Sequence, residues 1–231
     1  MKPTIYICAW SLIATSAFAQ ETAQQDPAIP VGQLSVNRGM VRQGVAPELT
    51  WEIEYPTTVE EVIEVDEETE EITAKFRLRA QVSVIGVAFT NGFRELPVES
   101  YIHFSSAGWL KVFEGRGAEV NPLRTYIDRT VEEGERLRFA ARATFNNFYY
   151  FNDGSNVRVL RNGDTPPSNT GFSGQTSVED FLAPYLKDGK ISIGPMDVIY
   201  AAEVGTSNQS SSAFDLQDVV VLVRFSKVEQ D

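Results

Sequence analysis

Two carboxylates three residues apart, Asp215 and Asp218, stand at the mouth of the most apolar run in the chain, Val219-Val-Val-Leu-Val223. A polar stretch, Ser210-Ser-Ser-Ala-Phe214, delivers them. Acids in this position order a loop by accepting backbone N–H groups, or hold a hard cation such as Ca²⁺. Glu203 and Asp153 are the further carboxylates assigned to such a cation site. Asn152, Asn156, Asp164, Asp197 and Asn208 complete the oxygen donors of the C-terminal half. None of these falls into the D-x-[DN]-x-[DN]-G spacing, so an EF-hand loop is excluded.

A second group has the chemistry to meet a sugar. Phe145, Phe148, Tyr149, Tyr150 and Phe151 cluster with Asn146 and Asn147. Aromatic faces with neighbouring amides form glycan platforms, and Asn147, Tyr149, Tyr150 and Phe151 are the candidate ligand-binding residues. The plainer reading is a loop that tucks its rings under the fold. Trp51 and Trp109 lie in strand patterns and read as core. His103 is the only histidine and Cys8 the only cysteine, so a His-rich zinc site is impossible and thiol chemistry has little to work with. His103 itself alternates out of the core in Tyr-Ile-His-Phe and reads as a surface residue. Paired carboxylates such as Glu203 with Asp215 would be the only hydrolytic apparatus, as in glycoside hydrolysis. No catalytic residue is assigned.

The elements that must position these groups are strands. Leu49, Trp51, Ile53 and Tyr55 alternate with polar residues. Val59–Val65 reads as a strand with a turn at Asp66-Glu-Glu-Thr69. Ile72, Ala74, Phe76, Leu78, Ala80, Val82, Val84, Gly86 and Ala88 then share one face of what reads as a single long strand. Its other face starts polar and turns apolar at Ile85 and Val87, so the strand runs from an edge into a two-sided core. Asn91-Gly92 is a hairpin signal. Further strands are read over 97–104, 109–113, 124–131, 135–145, 157–160, 190–193, 198–204 and 219–228. One helix is read, opened by Ser177 with Asp180 as a capping-box partner and ended by Asp188-Gly189. This pattern predicts an all-β fold, an antiparallel sandwich or jelly roll with one short helix. No βαβ alternation suggests a nucleotide-binding α/β fold.

The N-terminus reads as an export signal over 1–19: Lys2, the apolar Ile5–Ile13 and the small-x-small site Ala17-Phe-Ala19. Residues 20–47 read as an extended arm and 48–231 as a single β-domain. The expected location is periplasmic, or extracellular at the cell surface. No stretch approaches the length of a membrane helix. Of the 32 acidic residues, ten fall between Glu52 and Glu71 with no base among them, leaving 22 acids against 20 bases elsewhere. That block reads as a solvated, self-repelling hairpin. The net charge of −12 argues against nucleic acid or an anionic membrane as partner.

The segment Phe214-Asp-Leu-Gln-Asp-Val-Val-Val-Leu-Val223 resembles the closing motif of a family of bacterial surface domains of unknown function. The family pattern is Asp-x-Asp-[Phe/Tyr]-Asn-Asp-[Leu/Val]-Val-[Phe/Val], on the last strand of a β-sandwich. Here Gln217 replaces the asparagine and Ala213 stands where an earlier acid is usual. The resemblance implies an extracellular domain that binds calcium. The resulting expectation is an exported, non-catalytic binding or interaction module with a structural Ca²⁺ and a protein or glycan partner in the envelope. The alternative is a carbohydrate-binding module or a carboxylate-dependent glycoside hydrolase.

Overall fold

The computed structural model describes residues 31–36, 49–90, 93–143, 150–151, 156–167 and 176–228. The expected signal segment and the hairpin signal Asn91-Gly92 lie outside them. Within the expected arm, β1 (Val31–Val36) pairs antiparallel with β2 (Leu49–Glu54) as a separate two-stranded ribbon. A single helical turn, α1 (Val59–Val62), stands where the valine-rich sequence predicts a strand, and β3 (Ile63–Val65) follows it. Val59, Val62 and Ile63 are buried, which is the i, i+3, i+4 spacing of a helical face.

The long alternating run is not one strand. β4 (Ile72–Ala74) ends at a bend over Lys75–Arg77, and β5 (Leu78–Gly86) begins beyond it in the other sheet. Corners where a strand changes sheet are a standard device of packed β-layers. Ile72, Ala74, Leu78, Ala80, Val82 and Val84 all stay buried across this corner, whereas Phe76, at the bend, is 56% exposed and not in the core.

The remaining strands are β6 (Val98–Phe104), β7 (Gly108–Gly115), β8 (Ile127–Val131), β9 (Arg136–Ala143), β10 (Tyr150–Phe151) and β11 (Val157–Leu160). Then come β12 (Leu186–Lys187), β13 (Lys190–Ile191), β14 (Asp197–Ala202) and β15 (Val219–Lys227). One sheet runs β3-β4-β9-β6-β7, with β10 on β9, and the other β11-β14-β15-β5-β8; every pairing is antiparallel. The inward side chains of both sheets form one core, in which the rings of Phe139 and Tyr200 stack at 5.3 Å. The fold is the predicted antiparallel sandwich.

A second core covers the outer face of the five-stranded sheet. Ile85, Ile199, Val220 and Leu222 face outward there under Val178, Leu182, Ile191 and Ile193. This explains why β15, the middle strand of its sheet, is apolar on both faces. The cover begins at α2 (Val178–Leu182), where Ser177 Oγ accepts the Asp180 N–H at 3.1 Å and Asp180 accepts the Ser177 N–H at 2.9 Å. The predicted capping box is present. Asp188 and Gly189 do not end that helix, which stops at Leu182. They have φ of 52° and 74° and form the two-residue turn of the β12–β13 hairpin. The Phe181 ring lies so close over Gly86 that an added Cβ would stand 2.4 Å from its Cγ.

Candidate metal centre

β14 and β15 pair in register to their ends, Ala202 opposite Val219, and the chain between them loops over the end of the sandwich. Glu203 is the first residue after β14 and Asp218 the last before β15. The register that aligns the two apolar strands therefore brings these carboxylates together. Leu216, with φ of 56°, turns the chain in the left-handed region and carries Asp215 inward. Glu203, Asp215 and Asp218 are all buried, at 1%, 1% and 3% exposure, and one carboxylate oxygen of each lies within 4.8 Å of the others.

Backbone donors hold the carboxylates in place. Asp218 Oδ2 accepts the N–H of Val204 at 2.7 Å and of Gly205 at 3.2 Å. Glu203 Oε1 accepts from Gly205 and Thr206, and Oε2 from Asp215 at 3.0 Å. Asn156, just before β11, bonds the same loop. Its Nδ2 donates to the carbonyls of Glu203 and Thr206, and its own carbonyl accepts the Glu203 N–H. The Ala88 N–H reaches the Asp218 carbonyl at 3.4 Å, and Phe89 lies against Gly205, so the chain after β5 joins the same end.

No basic side chain forms an ion pair with Glu203 or Asp218 among the described residues. Burial, reinforced by the Glu203 carboxylate beside it and then by Asp215, pushes the Asp218 carboxyl far above the ordinary range; the Val204 N–H only partly opposes this. Acids as close as Glu203 and Asp218, held out of water, favour a shared proton or a cation. The arrangement can hold a metal ion.

The structure thus brings together three of the four carboxylates assigned to the site. Asp153 lies outside the described residues, as do Asn152, Asn147 and Tyr149. Tyr150 and Phe151 form β10, whose backbone pairs with Ala141 and Ala140 of β9. Asp197 sits at the far end of β14 against Arg224, and Asp164 accepts the Arg161 N–H in a separate turn, so neither joins the cluster. Asn208 caps the exposed part of the loop by accepting the Ser210 N–H. Asn156 acts as a staple through backbone carbonyls, and its place next to a strand in the donor set was the only signal for it.

Trp109 is not core: it faces outward from β7 at 40% exposure, its ring centroid 5.0 Å from that of His103. His103, as expected, points out of the core from β6. Among the described residues no helix is long and apolar enough to cross a membrane.

No protein-family model, curated protein or solved structure matches this chain.

Proposed function

We propose that the protein is an exported, non-catalytic binding module whose loop end is ordered by a structural Ca²⁺ held by Glu203, Asp215 and Asp218. The observation that carries this reading is the convergence of three buried carboxylates within 4.8 Å. An all-oxygen, all-carboxylate set suits a hard cation rather than zinc or copper, which favour nitrogen and sulfur. Ca²⁺ fits better than Mg²⁺, because Mg²⁺ keeps several waters and a site this closed leaves little room for them. Closure also argues against catalysis, since side chains exposed by 1–3% offer no approach to a substrate. The cation would neutralise the repulsion and fix the loop between β14 and β15, together with the adjoining chain at Ala88 and Phe89. The site would thereby hold a recognition surface in one shape.

Thermal unfolding in EDTA and in millimolar Ca²⁺ tests this, with Asp215→Asn/Asp218→Asn alongside. A ligand at 100 times its dissociation constant stabilises the native state by about 2.7 kcal/mol. For a chain of this size that raises the midpoint by roughly 5–10 °C. The native protein should show this rise and the double variant should not. Superimposable native curves with and without Ca²⁺ would refute the cation and reduce the acids to loop-ordering groups.

A further inference from the structure

We propose that the outer edge of β11 is a pairing surface for a second copy of this chain, held shut by the carboxylate of Glu70. Among the described residues β11 is an end strand of its sheet, paired to β14 on one side only. The Asn156 carbonyl accepts the Glu203 N–H from across that pair. By antiparallel alternation Val157 and Val159 therefore turn their N–H and C=O groups away from β14. Val157-Arg-Val-Leu160 is rich in apolar, strand-forming residues, and a bare edge of this kind is a template for another strand.

The edge is not bare. Glu70 Oε2 accepts the Val159 N–H at 2.9 Å, where a neighbouring strand would place a carbonyl. Its Oε1 holds the Arg158 guanidinium, with Nη1 at 3.1 Å. Glu70 lies in the turn between β3 and β4 of the six-stranded sheet, so this clasp spans the two sheets. The turn itself aims the side chain. Asp66 Oδ1 accepts the N–H groups of Glu68 and Thr69, each at 2.9 Å, and the Asp66 carbonyl accepts that of Glu70 at 2.6 Å.

Glu70 is a costly residue for that turn. Its φ is 56°, in the left-handed region that glycine adopts without steric penalty, and it is only 8% exposed. Strain and the burial of a carboxylate are both offset by the bonds made at β11. The acidic run Glu52–Glu71, expected to be solvated throughout, thus ends in an acid buried against the backbone of another strand. Glu71 beside it pairs back to Arg136 and Arg138 of β9.

A second copy fits this edge because the edge complements itself. Two β11 strands related by a two-fold axis at Arg158 set Val157 of each opposite Val159 of the other, so the outward donors and acceptors meet. Such pairing requires Glu70 to leave Val159. It also brings the two Arg158 side chains face to face, a repulsion that adds to the closure. The inference does not depend on the cation reading, because it uses none of the three clustered carboxylates.

Glu70→Gly removes the carboxylate while suiting the turn, and so separates the clasp from the hairpin. Residue-resolved amide exchange and sedimentation velocity of the whole protein test it. At low concentration the Val159 amide should exchange about tenfold faster or more than in the native protein. At high concentration the variant should associate beyond the native state, and protection of Val159 should return with association. Adding Arg158→Thr should strengthen the association. Glu70→Gln keeps an acceptor for the Val159 N–H and should retain native exchange there. If Glu70→Gly fails to fold, Glu70→Asn, which tolerates the left-handed region and is one carbon shorter, carries the same prediction. Native exchange at Val159, a native sedimentation profile, or association that leaves Val159 unprotected would each overturn the assignment.

Discussion

The Glu203 carboxylate accepts the backbone N–H of Asp215 at 3.0 Å, joining two members of the acidic cluster across twelve residues of chain. One acid is thus built into the loop that positions another, and charge and shape at this site are separable by mutation. Asp218→Asn keeps an oxygen for the Val204 N–H but removes the charge. In EDTA it should be as stable as the native protein or slightly more so, since repulsion with Glu203 is relieved. In Ca²⁺ it should fall below native. Asp218→Ala removes the acceptor outright and should cost about 1–3 kcal/mol in either buffer. Denaturant melts of both variants in both buffers would show this ordering; a loss in EDTA alone as large for Asn as for Ala would contradict it.

Asp197 gives the stability a pH dependence. Burial pushes its carboxyl up to about 6, with Arg224 at 3.8 Å opposing only in part. The unfolded chain releases this proton near the ordinary carboxylate value of 3.8. Between these values the folded state holds a proton that the unfolded state has lost. The associated stability is therefore complete below about pH 4 and is lost as pH rises through 6. At pH 7 the charged group costs up to about 3 kcal/mol. Asp197→Asn should be more stable than native at pH 7, and its advantage should shrink towards pH 4 in urea titrations.

Tyr200 carries its hydroxyl into the main core, where it has no hydrogen-bond partner among the described residues. Burying such a group is unfavourable, and removing it while keeping the ring retains the stack on Phe139. Tyr200→Phe is expected to match the native stability or exceed it by about 1 kcal/mol. A clear loss on calorimetry would show that the hydroxyl is bonded in solution.

Gly86 lacks a side chain because Phe181 occupies its place. Gly86→Ala should destabilise by about 1–3 kcal/mol through overpacking. Adding Phe181→Leu should recover part of that loss, so that the two changes are not additive. Additive melts would place the ring elsewhere.

Much of this fold is legible in the sequence, and the exceptions share a physical cause. Period-two patterning reports which face is buried but not which sheet the strand belongs to. The corner at Lys75–Arg77 preserves that parity, so Ile72 to Val84 reads as one strand although it belongs to two. Val59-Glu-Glu-Val62 reads as a strand because valine favours strands, yet its i, i+3 spacing also fits the helical turn it forms. At Trp109 the apolar ring outweighed its neighbour in the pattern, Lys111, which shares its face. The bulge between Ser100 and Tyr101 then puts Val112 and Phe113 both inside. Of the site, Asp215 and Asp218 are visible as a local motif. Glu203 becomes their neighbour only through the pairing of Ala202 with Val219, a relation that spacing along the chain does not contain.

The strand latest in sequence among the described residues is also the middle of its sheet. β15 lies between β14 and β5, and its pairing of Val220 with Gly86 spans more than half the chain. Until residues 219–227 have left the ribosome, β5 and β14 each present an unpaired edge and neither core can close. Asp215 and Asp218 arrive with that strand, so the acidic cluster assembles only once β15 is in place. A chain truncated before residue 215 would expose two sticky edges and lack the cluster, which makes the site a marker of correct strand pairing.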